Sequence, residues 1–411
     1  LSSAFLLLTV VGGLACSVEP ATSGLLGPVP PMGRRLAVIG SDYAASAVSL
    51  FDLDGPQRVG SALWTSGTVV TPSGTLLSGD VVLGQTPLGD GRLVVIDRTH
   101  GVVSLFDPSG PAAQWSVATG FYANPQDVIP LPGDATSAGV VIVSRLGRNP
   151  KPTPTAEDFD EGDDLLRLDP GTGQVLGRLP LEKWTTLPGA VAGPGRMAFD
   201  GQRLWVPLQS VAVDFQSAGP GRLLAVDPSG QTVTAVVELP FGRNCGTVRW
   251  LPDLQRLVVL CTGLFADGPA QQLAYSVVAV VDPAAPKPTA TVLARAQDLP
   301  EPHPFGLDLA LTQGGRGVLS VPGDFTSGRV DQLWRIDVGT GKLSAIGQGH
   351  AIFRVGGMCG DPATGRVYVA DRGRPAGDVR VFRLNDDGST TEEASLASNP
   401  GGLGATDLAR F

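Results

Sequence analysis

From about residue 35 to its last residue the chain alternates short apolar runs with polar, turn-rich breaks. The clearest case lies between residues 358 and 388, MCGDPATGRVYVADRGRPAGDVRVFRLNDDG. It holds two runs, 366–370 and 378–384, in which Val, Tyr and Phe alternate with polar or small residues. Alternation at period two, bounded by Gly, Pro and Asp clusters, predicts half-buried β-strands joined by hairpins. Runs matching the first occur at 35–39, 92–96, 139–144, 203–207, 256–261 and 316–321, each followed by a polar loop and a partner strand. The partner strands run over 47–51, 102–106, 164–168, 222–226, 276–281 and 330–336. Each partner then meets an Asp-led turn, as in Asp107-Pro-Ser-Gly110, Asp169-Pro-Gly-Thr-Gly173, Asp227-Pro-Ser-Gly230 and Asp337-Val-Gly-Thr-Gly341. Asp accepts backbone N–H bonds at such a turn, Pro pre-sets φ and Gly takes the positive φ. These aspartates are therefore expected to be structural.

A third strand follows each turn, clearest at 233–239, and a first strand precedes each run, as at 247–251 and 307–311. About four short strands in a period of roughly 45 to 60 residues predicts propeller blades rather than a sandwich. Seven starts give seven blades. No stretch carries sustained helical periodicity, so the fold class is all-β, a seven-bladed β-propeller of four-stranded antiparallel blades. The ends complement one another. Gly402-Leu-Gly-Ala-Thr-Asp407-Leu-Ala-Arg-Phe411 reads as a first strand with no second after it, and 35–39 as a second strand with no good first before it. Pairing them would close the ring and remove the open edges.

Gly365-Arg-Val-Tyr-Val-Ala-Asp371 and Leu333-Trp-Arg-Ile-Asp-Val-Gly-Thr-Gly341 resemble bacterial Tyr-Val-Thr-Asn-type and NHL-type propeller repeats over residues 35–411. The likeness implies architecture and little about function, because such propellers host enzymes, binders and scaffolds.

Ahead of the repeats, residues 4–15 are apolar, too short for a membrane span and of signal-peptide length. Leu14-Ala15-Cys16 resembles a bacterial lipobox, which implies lipidation of Cys16; an ordinary signal peptide cut nearby is the alternative. The expected organisation is a signal peptide over 1–15, a lipidated Cys16 with a flexible tether to residue 34, and the propeller over 35–411. Cys245 on a first strand and Cys261 on the next would lie opposite one another around the Pro252-Asp253 turn, close enough for a disulfide. Export favours that bridge over two reduced core thiols. Cys359 is left over as a buried small hydrophobe. Net charge −9 and a pI near 4.9, with no Lys/Arg cluster, give no nucleic-acid footprint.

Catalytic signatures are missing: no His-Glu-x-x-His, Gly-x-Ser-x-Gly, Walker loop or Rossmann glycine pattern stands in the sequence. The three histidines, His100, His303 and His350, are too scattered to suggest a His-based metal site. The acidic run Glu157-Asp-Phe-Asp160-Glu-Gly-Asp163-Asp164 has oxygens suited to calcium but not EF-hand spacing, and reads first as a solvated, mobile insertion. No cofactor is expected; calcium or another divalent ion is the exception allowed for.

Loops between second and third strands repeatedly pair Asp with an aromatic: Asp42-Tyr43, Asp158-Phe159, Asp214-Phe215, Phe265-Ala-Asp267 and Asp324-Phe325. In a propeller these share a face with the loops entering each first strand, which hold Phe121-Tyr122-Ala-Asn124, Phe241-Gly-Arg243-Asn244, His303-Pro-Phe305 and His350-Ala-Ile-Phe353-Arg354. Flat apolar bodies mixed with polar heads suit recognition; the competing reading is aromatics filling gaps between blades and aspartates capping loops. The expected ligand or partner site is one channel mouth holding Tyr122, Asn124, Asp127, Arg243, Asn244, His303, Phe305, Asp308, Phe353 and Arg354. Two functions follow. One is a monomeric, lipid-anchored binding or scaffold module at the bacterial envelope, meeting an envelope protein or small ligand and touching membrane only through its anchor. The other is a metal-dependent lactonase-like or other propeller hydrolase, with Asn124, Asp127, Asn244, Asp308 and Asp407 as its metal set. A quinoprotein likeness fails at Gly177, where that family's repeat carries a docking Trp.

Overall fold

A computed structural model describes residues 34–411 except 55–56, 68–75, 87, 89–90, 111, 134–138, 153–158, 376 and 399–401. Cys16 and its apolar leader lie outside the described residues. Among the described residues twenty-eight strands form seven antiparallel sheets of four, one per blade. Blade 1 is assembled from both ends of the chain: Ala405–Arg410 is its innermost strand, followed outward by Arg35–Ser41, Ser46–Asp52 and Gln57–Thr65. Blades 2 to 7 follow in order over 81–118, 125–180, 198–243, 245–295, 309–348 and 355–392. The closure pairs Leu36 with Arg410 and Val38 with Leu408. The single α-helix among the described residues, Pro269–Ala274, sits in a loop of blade 5 and has no sequence periodicity to announce it.

The middle strands are not half-buried as the alternation suggested. Arg35–Ser41 is buried at every position, and Val102–Phe106 and Leu204–Leu208 likewise. Each blade packs both faces against its neighbours, so polar alternation survives only on the outer strands, such as Ala113–Ala118 and Val175–Pro180. Among the described residues the core is correspondingly divided into seven clusters, one per seam, with a small eighth of Val191, Val211, Ala218 and Leu264 in the mouth loops. Val48, Leu50 and Trp64 of blade 1, for instance, pack with Leu83, Val95 and Phe106 of blade 2. Burying a side chain of this size contributes about 1.5–3 kcal/mol, and every blade draws on two seams.

Two faces result. First-to-second and third-to-fourth strand turns lie on one; second-to-third loops and inter-blade loops lie on the other, the mouth. On the turn face the predicted aspartates cap their own reversals: Asp107, Asp169, Asp227 and Asp337 accept from residues two to four positions on. Hydrogen bonds from Thr172 and Ser389 hold Asp169 and Asp387 below the ordinary carboxylate range. Cys245 and Cys261 are paired in register and joined by a disulfide. Cys359 is a buried free thiol.

Candidate functional site

The mouth is built from loop residues 42–45, 149–152, 159–161, 209–219, 263–275, 322–331, 372–375 and 377–378, alternating with inter-blade connections such as 119–124, 181–197, 296–308 and 349–354. Buried polar side chains hold these loops from beneath. Asp331, 1 % exposed at the start of a third strand, accepts the N–H groups of Gly323, Phe353, Arg354 and Val355. Asp378 accepts from Ser398 and Ala405, Asp163 from Gly193, and Ser276 from Phe305. The recurrence of a small acceptor opening the third strand is the sequence signal for this scaffold.

Above these acceptors the mouth exposes Tyr43, Phe121, Tyr122, Phe215, Phe265, Phe325 and Phe353, which are all the exposed aromatics among the described residues. Phe121 and Tyr122 meet edge to face at 5.2 Å, Phe325 and Phe353 lie 5.5 Å apart, and Arg372 stacks over Tyr43 at 4.9 Å. Tyr43, Phe159, Phe215 and Phe353 adopt positive φ of 69°, 45°, 57° and 54°. An aromatic residue rarely takes that conformation, because its Cβ crowds the backbone. Such strain persists only where the surroundings over-determine it.

The predicted residues take different places. Tyr122, Phe353 and Arg354 are exposed on the mouth. Arg243 lies there too, donating to Asp267 at 2.8 Å and stacking on Tyr275 at 4.1 Å. His303 Nε2 stands 3.9 Å from Asp324. Asn124 and Asn244 take positive φ and close their loops, Asn124 accepting from Gln126 and Asn244 donating to Thr262 and Gly263. Phe305 departs from expectation. At 1 % exposure it fills the seam between blades 5 and 6, because its N–H is drawn inward to Ser276, so it offers no ring to a ligand.

Asp127 and Asp308 meet deeper, at the mouth end of the innermost strands, together with Asp407. Asp127-Val-Ile, Asp308-Leu-Ala and Asp407-Leu-Ala hold matching slots in blades 3, 6 and 1, and blade 4 places Arg196-Met-Ala there. Arg196 reaches to Asp308 at 2.8 Å and Asp407 at 3.4 Å, and Arg249 donates to Asp308 at 2.9 Å. Each carboxylate also accepts an N–H from an adjacent blade: Asp127 from Met197 and Gln85, Asp308 from Met358, Asp407 from Leu83. Gly357 makes room, since a Cβ there would fall 1.9 Å from Asp407 Oδ1. Burial pushes the carboxyls of Asp127 and Asp407 up. Burial opposes the charge of Asp308 as well, but Arg196 and Arg249 outweigh it and hold that group below the ordinary range. Chemically this is a plug, three acids around two guanidinium groups.

That arrangement does not fit the metal set foreseen for a hydrolase. The three aspartates are turned to amide and guanidinium donors, Asn124 and Asn244 are spent on loop closure, and no metal-ligating cluster forms among the described residues. The acidic run is also no solvated insertion throughout. Asp163 and Asp164 are buried, Asp164 by a two-pronged bond from the fully buried Arg145 and Asp163 by Arg148. Glu157 and Asp158 lie outside the described residues.

No protein-family model matches the chain, and no curated protein matches it in sequence. Solved structures do resemble it. A putative 6-phosphogluconolactonase from Bacteroides fragilis superposes with a TM-score of 0.56 at 11 % identity, covering 96 % of this chain and all of its own. The periplasmic gluconolactonase of Pseudomonas aeruginosa gives 0.58 at 14 % identity, covering 92 % and 99 %. A hypothetical selenium-binding protein from Sulfolobus tokodaii gives 0.60 at 13 %, covering 92 % and 94 %. At such identities the likeness is one of fold, and the fold is the seven-bladed β-propeller.

Proposed function

We propose that the chain is an exported recognition propeller, tethered through its N-terminal segment, that binds an envelope macromolecule with its mouth face. The observation that carries this reading is the crown of exposed aromatics, confined to one face, with Tyr43, Phe215 and Phe353 on left-handed tips and Phe353 pinned by the buried Asp331. Rigid rings with low conformational entropy are the usual anchors of protein recognition. A wide crown over a plugged channel suits a broad partner more than a small molecule. The Cys245–Cys261 disulfide accords with an oxidising compartment. Arg34, the first described residue, is bound to Asp54 and Asp361 on the turn face. A tether lipidated at Cys16 would leave from there and turn the mouth away from the membrane.

Photo-crosslinking tests the reading. A benzophenone amino acid at Phe265 or Phe325 should give a discrete adduct in the native envelope, and one at Ser229 or Thr340 should not. Adducts only from the turn face would overturn it. The names of two fold neighbours favour the alternative, a lactone hydrolase. Stoichiometric divalent metal in purified protein, with metal-dependent lactone hydrolysis, would establish that alternative instead.

A further inference from the structure

We infer an oxyanion-binding site at the mouth end of the seam between blades 5 and 6, centred on Arg329. Two segments face each other there, the connection over 296–308 and the loop over 322–331. Arg329 Nη1 lies 3.8 Å from Glu301 Oε2, and His303 Nε2 lies 3.9 Å from Asp324 Oδ2. Arg329 is only 16 % exposed, and its Nε and Nη2 are buried with no protein acceptor. His303 Nδ1 is in the same condition. Buried guanidinium N–H groups in folded proteins are almost always satisfied, so two at one seam, with an unpartnered imidazole nitrogen beside them, mark a place where acceptors are to be supplied.

The chain shows what that guanidinium edge holds elsewhere. Arg145 uses Nε and Nη2 on the two oxygens of Asp164, at 2.7 and 2.6 Å, and Arg380 uses the same edge on Glu392, at 3.0 and 2.7 Å. Arg329 presents the same fork with no internal carboxylate on it. Glu301 stands off the other nitrogen, 72 % exposed and free to swing. Beside Glu301 a cleft of about 370 Å³ opens, lined by Pro300, Gln332, Trp334 and Gln348. The Trp334 indole donates to the Gln332 carbonyl, which leaves the Gln332 amide nitrogen as a donor at the cleft wall. Glu301 is the wall shared by the cleft and Arg329, so a carboxylate or phosphate on a small polar body that displaced Glu301 would uncover the guanidinium and seat its oxygens on the Arg329 fork. A planar fork matches either oxyanion with two parallel bonds, which a lysine cannot do. Glu301 and Asp324 make the seam acidic, so the ligand exchanges with Glu301 rather than adding to it.

The inference does not depend on a macromolecule at the aromatic crown, and its test is separate. Calorimetric titration of the full chain with inorganic phosphate and with succinate, at ionic strength fixed by sodium chloride, should give saturable binding of at least one anion. Glu301→Gln removes the competing carboxylate and should tighten binding by about threefold or more, whereas Arg329→Lys should weaken it about tenfold. Arg329→Ala should abolish it, and Arg256→Ala, on the turn face, should leave it unchanged. Which anion binds identifies the ligand chemistry. No saturable binding to either the parent or the Glu301→Gln protein would overturn the site. So would unchanged affinity in Arg329→Lys, which remains informative even if Arg329→Ala fails to fold.

Discussion

Two sets of carboxylates, one on each face of this propeller, are spent in opposite ways. On the turn face Asp169 and Asp337 satisfy N–H groups two or three residues away and remain at the surface. On the mouth Asp331, Asp163 and Asp378 are buried and reach 22, 30 and 27 residues along the chain, to Phe353, Gly193 and Ala405. Local capping makes a face that is complete in itself. Long-range capping from beneath leaves the outermost layer free for groups that do no folding work, and those groups are aromatic rings.

The largest effect should come from cutting one long-range cap. Asp331→Ala orphans four N–H groups and should cost about 4 kcal/mol, read as a denaturant midpoint, whereas Asp169→Ala should cost several times less. Equal losses would end the distinction between the faces.

Next comes the channel plug. Asp308→Asn removes a carboxylate that two guanidinium groups favour charged and should cost about 3 kcal/mol at pH 7.5, with Asp407→Asn costing less. Their pH profiles should diverge. Asp407, with its folded value raised, stabilises below the unfolded value of about 3.9 and loses that contribution as pH rises through the raised value. The melting gap between parent and Asp407→Asn should therefore widen from pH 7.5 to 4.5. Asp308, with its value lowered, contributes above the unfolded value and loses the contribution as pH falls through the depressed one. Its gap should persist at pH 4.5 and narrow only in stronger acid.

Smaller still, and opposite in sign, Phe215→Gly and Phe353→Gly should relieve left-handed strain and raise stability by about 0.5–1 kcal/mol while weakening crosslinking at the mouth. A loss of stability would mean that these rings serve the fold. The least stability change, within about 1 kcal/mol, is expected for Arg243→Ala, His303→Ala and Arg354→Ala, which should impair binding where Ser109→Ala, Ser229→Ala and Thr340→Ala spare it. Loss of binding from the turn-face set alone would show that the wrong face has been chosen.

The blades were legible because a turn such as Asp227-Pro-Ser-Gly230 encodes its conformation in four adjacent residues. The Cys245–Cys261 pair was legible because a short hairpin fixes its own register. Alternation misled at Arg35–Ser41, since the second buried face comes from a blade that local sequence cannot see. Asp127, Asp308 and Asp407 were grouped correctly as neighbours and assigned the wrong company. Only laying the first strands of all blades side by side shows Arg196 in the slot the acids occupy. Phe305 was misplaced for a similar reason: its direction is set by Ser276 of the preceding blade.

The pairing of Ala405–Arg410 with Arg35–Ser41 also sets a timetable. During synthesis Arg35–Ser41 emerges first, yet its inner partner follows only after the other six blades. Blade 1 must keep an unpaired edge until all six other blades have been made. Because Ala405–Arg410 and Arg35–Ser41 meet as adjacent strands, the ring has no mechanical seam beyond that ladder, and a chain with residue 411 joined to residue 34 and opened at another turn-face reversal should build the same propeller.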